Sequence, residues 1–223
     1  MSGSLFAQAI IKFLLGVCLV GLFIFLPAGT LAFMNGWLLM GLLFVPMFLA
    51  GLVMMAKNPQ LLRSRLEAKE TRKTQSLVVK LSGLMFIAGF TAAGLGFRLG
   101  WYMLPPWAVT AACAAFLTAY ALYAEVLREN AYLSRTIKVR EGQKVVDTGL
   151  YGIVRHPMYS ATLLLFLSMP LVLGSLYAFL IFLVYPPLII KRIKDEEALL
   201  EKELRGYTAY KQKVKYRLIP FVW

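Results

Sequence analysis

The sequence predicts an all-α integral membrane protein, a bundle of five or six membrane helices whose last pair folds as a hairpin. Three observations lead there. Of the 223 residues 60% are hydrophobic and only 16% charged, with a mean hydropathy of +0.70, a composition foreign to a water-soluble domain of this size. The apolar residues come in runs of about 20, the length a helix needs to cross ~30 Å of hydrocarbon. Finally, 22 of the 24 lysines and arginines fall in three stretches, seven in 57–80, six in 128–155 and nine in 191–217, leaving only Lys12 and Arg98 outside.

In a soluble chain the net charge of +13 would suggest nucleic acid as a partner. Confined to segments between apolar runs, it is instead the positive-inside pattern. It predicts cytoplasmic loops drawn to anionic headgroups, with both termini on that side, and no nucleic-acid function. Cys18 and Cys113 lie in apolar runs and there is a single histidine, so neither a disulfide framework nor a metal site is expected.

The first apolar run, 6–27, is long enough to span, and Lys12 is close enough to its end to snorkel. Its length favours a retained helix over a cleaved signal. A second span covers 36–55; Gly16, Gly21, Gly41 and Gly51 are expected at close helix contacts. The basic loop at 56–76 opens on Asn58-Pro59 and mixes Arg63, Arg65, Glu67, Lys69 and Glu70, which predicts an amphipathic helix at the headgroups. Spans three and four, 77–97 and 106–127, are joined by a turn whose Trp101, Tyr102 and Trp107 suit an interfacial belt. The chain thus divides into four N-terminal helices, 1–128, and a second region, 129–223.

In that second region, 136–139 and 144–147 alternate polar and β-branched residues around Glu141-Gly142, which predicts two short extended segments and a turn. The apolar run 159–190 is interrupted by Pro170 and Gly174-Ser175, which favours two helices over one. A last helix, 191–204, emerges from the membrane. One of its faces carries Ile189, Ile193, Leu200 and Leu204, with Glu196 and Glu197 on its flanks and Asp195, Lys202 and Glu203 pointing away. Carboxylates beside an apolar stripe need a compensating cation, and Arg192 stands one turn before Glu196.

The polar, irregular passage 149–159 is the exception in this apolar half, and it holds His156. Pro157 biases His156 toward an extended backbone and suits the first turn of a helix. Arg155 and His156 are therefore expected at a loop-to-helix junction whose exposed amides favour an anionic group.

Gly149, Tyr151, Arg155, His156, Pro157 and Tyr159, then Glu196, Glu197 and Leu200, then Tyr207, Tyr210 and Pro220 form an ordered set. It resembles the isoprenylcysteine carboxyl methyltransferase family and its phospholipid methyltransferase relatives, over about 144–223. The resemblance implies a membrane methyltransferase that uses S-adenosylmethionine, with 129–223 as a catalytic, cofactor-binding region on the cytoplasmic face. Carried onto this sequence, Tyr151, Arg155, His156, Pro157, Tyr159, Glu196 and Glu197 are the candidate cofactor-binding residues. Glu196, Glu197, Tyr151 or Tyr159 would suit a sulfonium cation, and Arg155 with His156 the cofactor's carboxylate. Arg192 and Glu196 are the catalytic candidates: Arg192 to orient a carboxylate acceptor, Glu196 as base if the acceptor is an amine or thiol. The acceptor implied is lipophilic, a prenylcysteine-type carboxylate above all, entering from the membrane lipids. A phospholipid amine is the alternative acceptor. Two other readings stay open: an NADPH-dependent reductase of the sterol-reductase type, which resembles this family in its C-terminal part, and a non-catalytic transporter or scaffold. The chain departs from the family pattern at Ala161, where glycine is frequent, and at Leu204-Arg205-Gly206.

Overall fold

A computed structural model describes residues 2–66, 73–130, 132–133, 139 and 142–223. Among them the regular structure is helical. The elements are α1 (Ser2–Ala28), α2 (Met34–Lys57), α3 (Pro59–Leu66), α4 (Lys73–Arg98), α5 (Pro106–Glu129), a 3-10 turn at Gly149–Gly152, α6 (Pro157–Val172), α7 (Leu176–Phe182), α8 (Tyr185–Glu203) and α9 (Tyr207–Lys213). Five helical stretches are long and apolar enough to cross a membrane: Ser4–Ala28, Met34–Lys57, Gln75–Arg98, Pro106–Glu129 and Leu176–Glu203, the last made of α7 and α8 end to end. At 1.5 Å per residue, a 24-residue helix reaches about 36 Å, more than the hydrocarbon thickness. The shorter apolar α6, of 16 residues, precedes the last of these stretches, so the run 159–190 is not one continuous helix. Gly174, at φ +74, turns the chain where a Cβ would stand 2.8 Å from Asn35 Nδ2.

Connectivity sorts the loops into two ends. At one, Asn35 Nδ2 donates to Leu173 O at 3.4 Å, Leu104 N donates to Gly174 O at 2.8 Å, and Met103 bridges Ser175. Trp101 packs on Tyr177 there, with ring centroids 4.9 Å apart, while Tyr102 and Trp107 are exposed. At the other end Lys12 Nζ donates to Leu66 O at 2.6 Å and Ser64 Oγ to Leu133 O at 3.3 Å. Lys12 thus reaches toward the basic end of the bundle and satisfies a carbonyl at the C-terminal end of α3, where a cation is favoured.

The amphipathic segment is realised as α3, begun by Asn58, whose Oδ1 accepts from Leu61 N at 3.0 Å, and by Pro59 in the first turn. Its Glu67, Lys69 and Glu70 lie outside the described residues, as do 136–138 and 140–141 of the expected extended segments. Residues 143–147 form no ladder among the described residues.

The core is built from α4, α5, α6, α7 and α8 with α1 and α2 against them. Phe86 meets the edges of Phe166 and Phe182 at 4.8 and 5.3 Å, the offset geometry aromatic pairs prefer. The closest helix approaches are at glycines, though not those expected. A Cβ at Gly94 would stand 2.4 Å from Ile24 O, and one at Gly89 2.3 Å from the Phe182 ring, whereas Gly41 and Gly51 have nothing within 4 Å and Gly16 and Gly21 only ordinary 3.6 Å contacts. On helices apolar all round, spacing does not reveal which face meets a neighbour.

Candidate functional site

The site lies at the end of the bundle that holds the basic segments. Glu129, at the end of α5, accepts from Thr148 Oγ1 at 2.7 Å. The next residue, Gly149, takes φ +53 with its Cβ position only 3.0 Å from the Glu129 carboxyl carbon, so a side chain there would be both strained and crowded. The chain then enters the 3-10 turn. There Tyr151 is held from both ends: Asn130 Nδ2 donates to its hydroxyl at 3.0 Å, and Tyr210 Oη donates to its carbonyl at 2.7 Å. Burial pushes the Tyr151 phenol up to about 12 against the opposing pull of the Asn130 hydrogen bond, so it is neutral at physiological pH. His156 is the N-cap residue of α6 but spends no side-chain atom on capping, which leaves its ring for other contacts.

Arg155 and His156 are organised by one carboxylate. Glu197 is 3% exposed. Its Oε1 accepts from Arg155 Nε at 2.7 Å and lies 3.3 Å from His156 Nε2, and its Oε2 accepts from Arg217 Nε at 2.8 Å. A second nitrogen of the Arg155 fork serves the tail: Nη1 donates to Val214 O at 2.7 Å and Lys215 O at 2.8 Å. The Arg155 and His156 backbone amides donate to Tyr216 O and Arg217 O, both at 2.9 Å. The amides expected to be exposed for an anion are thus consumed by the chain itself. Arg217 is in turn fixed by stacking on Trp223 at 5.0 Å, while the Trp223 carbonyl accepts from the amides of Arg217 and Leu218 at 2.8 and 2.9 Å.

Beside this clamp opens a cavity of about 830 Å³, mouth included. At its end toward the membrane helices stand Met158, Tyr159, Arg192 and Glu196. The Tyr159 hydroxyl joins the two charged groups, accepting from Arg192 Nε at 2.9 Å and donating to Glu196 Oε2, with the Arg192 guanidinium 5.8 Å over the Tyr159 ring. At the opposite end Val145, Leu200, Leu204, Tyr207 and Tyr210 make an apolar and aromatic slot. Burial drives the phenols of Tyr207 and Tyr210 well above their ordinary value. Asp147 ties the rim of the slot to α9 by accepting from Lys213 Nζ at 2.8 Å, and that hydrogen bond holds its carboxyl below the usual carboxylate range.

Of the residues singled out in the sequence, Tyr151, Arg155, His156, Tyr159, Arg192 and Glu196 all line this cavity. Glu197 and Pro157 do not: Glu197 stands behind the wall and holds it, and Pro157 starts α6. The residues missed are Asn130, Arg217 and Trp223, which fix lining or clamp residues through loops that carry no periodic signal. Tyr207 and Tyr210 belonged to the tail pattern but not to the candidate site. Asp195 was expected to point away, yet it accepts from Gln75 Nε2 at 2.5 Å and ties α8 to α4. Among the described residues no group of three or more histidine, cysteine or acidic side chains is placed to hold a metal.

Residues 108–202 match the isoprenylcysteine carboxyl methyltransferase (ICMT) family. The match includes the junction at 149–159 and the Glu196-Glu197 helix, and it begins within α5, a helix whose sequence had suggested no more than a membrane span. Curated relatives point to a second group. Over 91 residues the chain is 34% identical to the Delta(14)-sterol reductase TM7SF2 of Mus musculus, covering 40% of this chain and 22% of that protein. Over 135 residues it is 26% identical to a Delta(14)-sterol reductase of Methylotuvimicrobium alcaliphilum, covering 54% of this chain and 32% of that protein. The chain spans about a third or less of the length of these relatives.

Proposed function

We propose that this protein is a membrane methyltransferase that takes a methyl group from S-adenosylmethionine and gives it to a lipophilic acceptor. The observation that carries the reading is that the family match, 108–202, includes the residues of the cavity's charged end and junction wall: Tyr151, Arg155 and His156 on one wall, Arg192 and Glu196 on the other, with Leu204, Tyr207 and Tyr210 of the slot following it. The donor set suits the cofactor. A carboxylate, Glu196, and the Tyr159 and Tyr151 rings offer the negative charge and π faces that a sulfonium cation favours. The slot of Val145, Leu204 and Tyr210 is the flat, apolar place an adenine ring requires.

When bound, the cofactor supplies a methyl carbon already activated by the positive sulfur. The protein then has to position and desolvate. Glu197 holds the Arg155-His156 wall in place from behind. Tyr159 couples Arg192 to Glu196 at the membrane-facing end, where a lipid-borne acceptor arrives between helices. A prenylcysteine-type carboxylate needs no base: its ionised oxygen forms the new C–O bond as the C–S bond breaks, and the electron pair stays on sulfur. Arg192 would orient that carboxylate. A phospholipid amine would instead need Glu196 to take its proton. The basic segments at the cavity's end of the bundle support a cytoplasmic site.

The sterol-reductase relatives favour a second reading, in which the same cavity holds NADPH and the reaction is a reduction. Against it, the Arg155 fork is already bonded to Glu197 and to two carbonyls, an expensive cation to redirect toward a phosphate. Calorimetric titration of the detergent-solubilised protein separates the two. S-adenosylmethionine is expected to bind in the micromolar range. No binding at high micromolar concentration, with NADPH binding in its place, would overturn the methyltransferase reading.

A further inference from the structure

The tail tyrosine Tyr207 is 3% exposed, and its hydroxyl has no hydrogen-bond partner among the described residues. Buried hydroxyls are rarely left so, because each unsatisfied group costs about 1–3 kcal/mol. Its neighbours are satisfied: the Tyr210 hydroxyl is bonded to the Tyr151 carbonyl and the Tyr151 hydroxyl to Asn130. Tyr207 lies on the cavity wall in the apolar slot, where Val145, Leu200 and Leu204 offer it nothing polar. An unused buried hydroxyl on a cavity wall, beside apolar side chains, is the pattern of a ligand site, in which a placed polar group sets orientation.

The two ends of the cavity differ in chemistry, and this says which part of a ligand meets Tyr207. The charged end, Arg192, Tyr159 and Glu196, faces the membrane helices, and a lipophilic acceptor has to meet the reacting carbon there. The remainder of the cofactor then extends toward the slot. We infer that Tyr207 is a cofactor-contacting residue whose hydroxyl donates a hydrogen bond to an acceptor atom of the bound adenosine moiety, a ring nitrogen or a ribose oxygen. This rests on the cofactor reading above, although adenosine is common to S-adenosylmethionine and NADPH, so the contact serves either. Burial and the negative charges of Glu197 and Glu196 keep the phenol protonated and able to donate.

The test is Tyr207→Phe, which keeps the ring and its packing on Tyr210, 5.7 Å away. Full-length wild type and variant are titrated with S-adenosylhomocysteine and with NADPH, and their thermal unfolding is followed without ligand. The variant is expected to bind the cofactor about threefold to tenfold more weakly, one neutral hydrogen bond, while its unliganded melting temperature stays the same or rises. Tyr210→Phe should differ by lowering the unliganded melting temperature, since its hydroxyl is already bonded within the protein. If wild type binds only NADPH, the methyl-transfer reading fails and Tyr207 is judged on NADPH. Equal affinity of wild type and Tyr207→Phe for the bound nucleotide overturns the inference, and failure of wild type to bind either overturns both.

Discussion

Arg155 Nε lies 2.7 Å from Glu197 Oε1, although 42 positions separate the two residues and their side chains are only 4% and 5% exposed. Neither charge is tolerable alone at that burial, because desolvation of an unpaired ion costs several kcal/mol. The pair, completed by Arg217 and His156, therefore acts as a lock between the start of α6, the middle of α8 and the tail. Glu197→Ala should release all three and leave Arg155 buried beside carbonyls only. The expected loss is about 3–5 kcal/mol of stability, with cofactor binding lost as the cavity wall loosens. Thermal unfolding in detergent checks the first and calorimetry the second; an unchanged melting temperature would show that the cage is not structural.

How much of this was readable in the sequence depends on whether the signal is local. The spans were legible because membrane helices must satisfy their own backbone and be apolar for about 20 residues, and Gly174-Ser175 marked the hairpin turn. Arg192 and Glu196 were legible as types one helical turn apart beside an apolar stripe, and Tyr159 only through the resemblance carried by the 149–159 junction. The function of Glu197 was not: whether a flank residue faces a cavity or a second wall depends on where the tail runs, and the bonds of Val214 to Arg217 involve backbone atoms that any sequence supplies. The glycine contacts were missed for the same reason. α1 and α2 are apolar all round, so no periodicity distinguishes the lipid face from the protein face.

Gly94 and Gly41 make that distinction measurable. Alanine at Gly94 would drive its Cβ against the Ile24 backbone carbonyl, and α1 must move away from α4; a loss of about 1–3 kcal/mol is expected, as for other overpacked positions. Alanine at Gly41 meets nothing within 4 Å and should be neutral or slightly stabilising, because glycine is a poor helix former. Equal melting temperatures for the two variants would contradict the α1–α4 packing.

The segregation of charge makes an equally direct prediction about orientation. Lys12 joins the three basic stretches at one end of the bundle, whereas Arg98 lies at the other. Cysteine introduced at Tyr102 or at Arg205, in a background where Cys18 and Cys113 are serine, should therefore be labelled from opposite sides of the membrane. With intact cells, an impermeant maleimide is expected to reach position 102 and to spare 205. Labelling of 205 alone would invert the topology and place the cavity outside.

Tyr159 connects the remaining pieces. Its hydroxyl is the shared partner of Arg192 and Glu196, and the residue is only 4% exposed. Hydrogen bonds to charged groups are worth about 1.5–3 kcal/mol, so Tyr159→Phe should reduce turnover roughly tenfold to a hundredfold by letting Arg192 and Glu196 drift from their mutual geometry. Because the ring and its packing remain, cofactor affinity should change much less. The expected signature is a fall in kcat with KM for S-adenosylmethionine nearly unchanged, measured as transfer of labelled methyl to a prenylcysteine acceptor. A variant with wild-type kcat would reduce Tyr159 to a packing residue, and a variant that fails only in KM would move it to the cofactor wall.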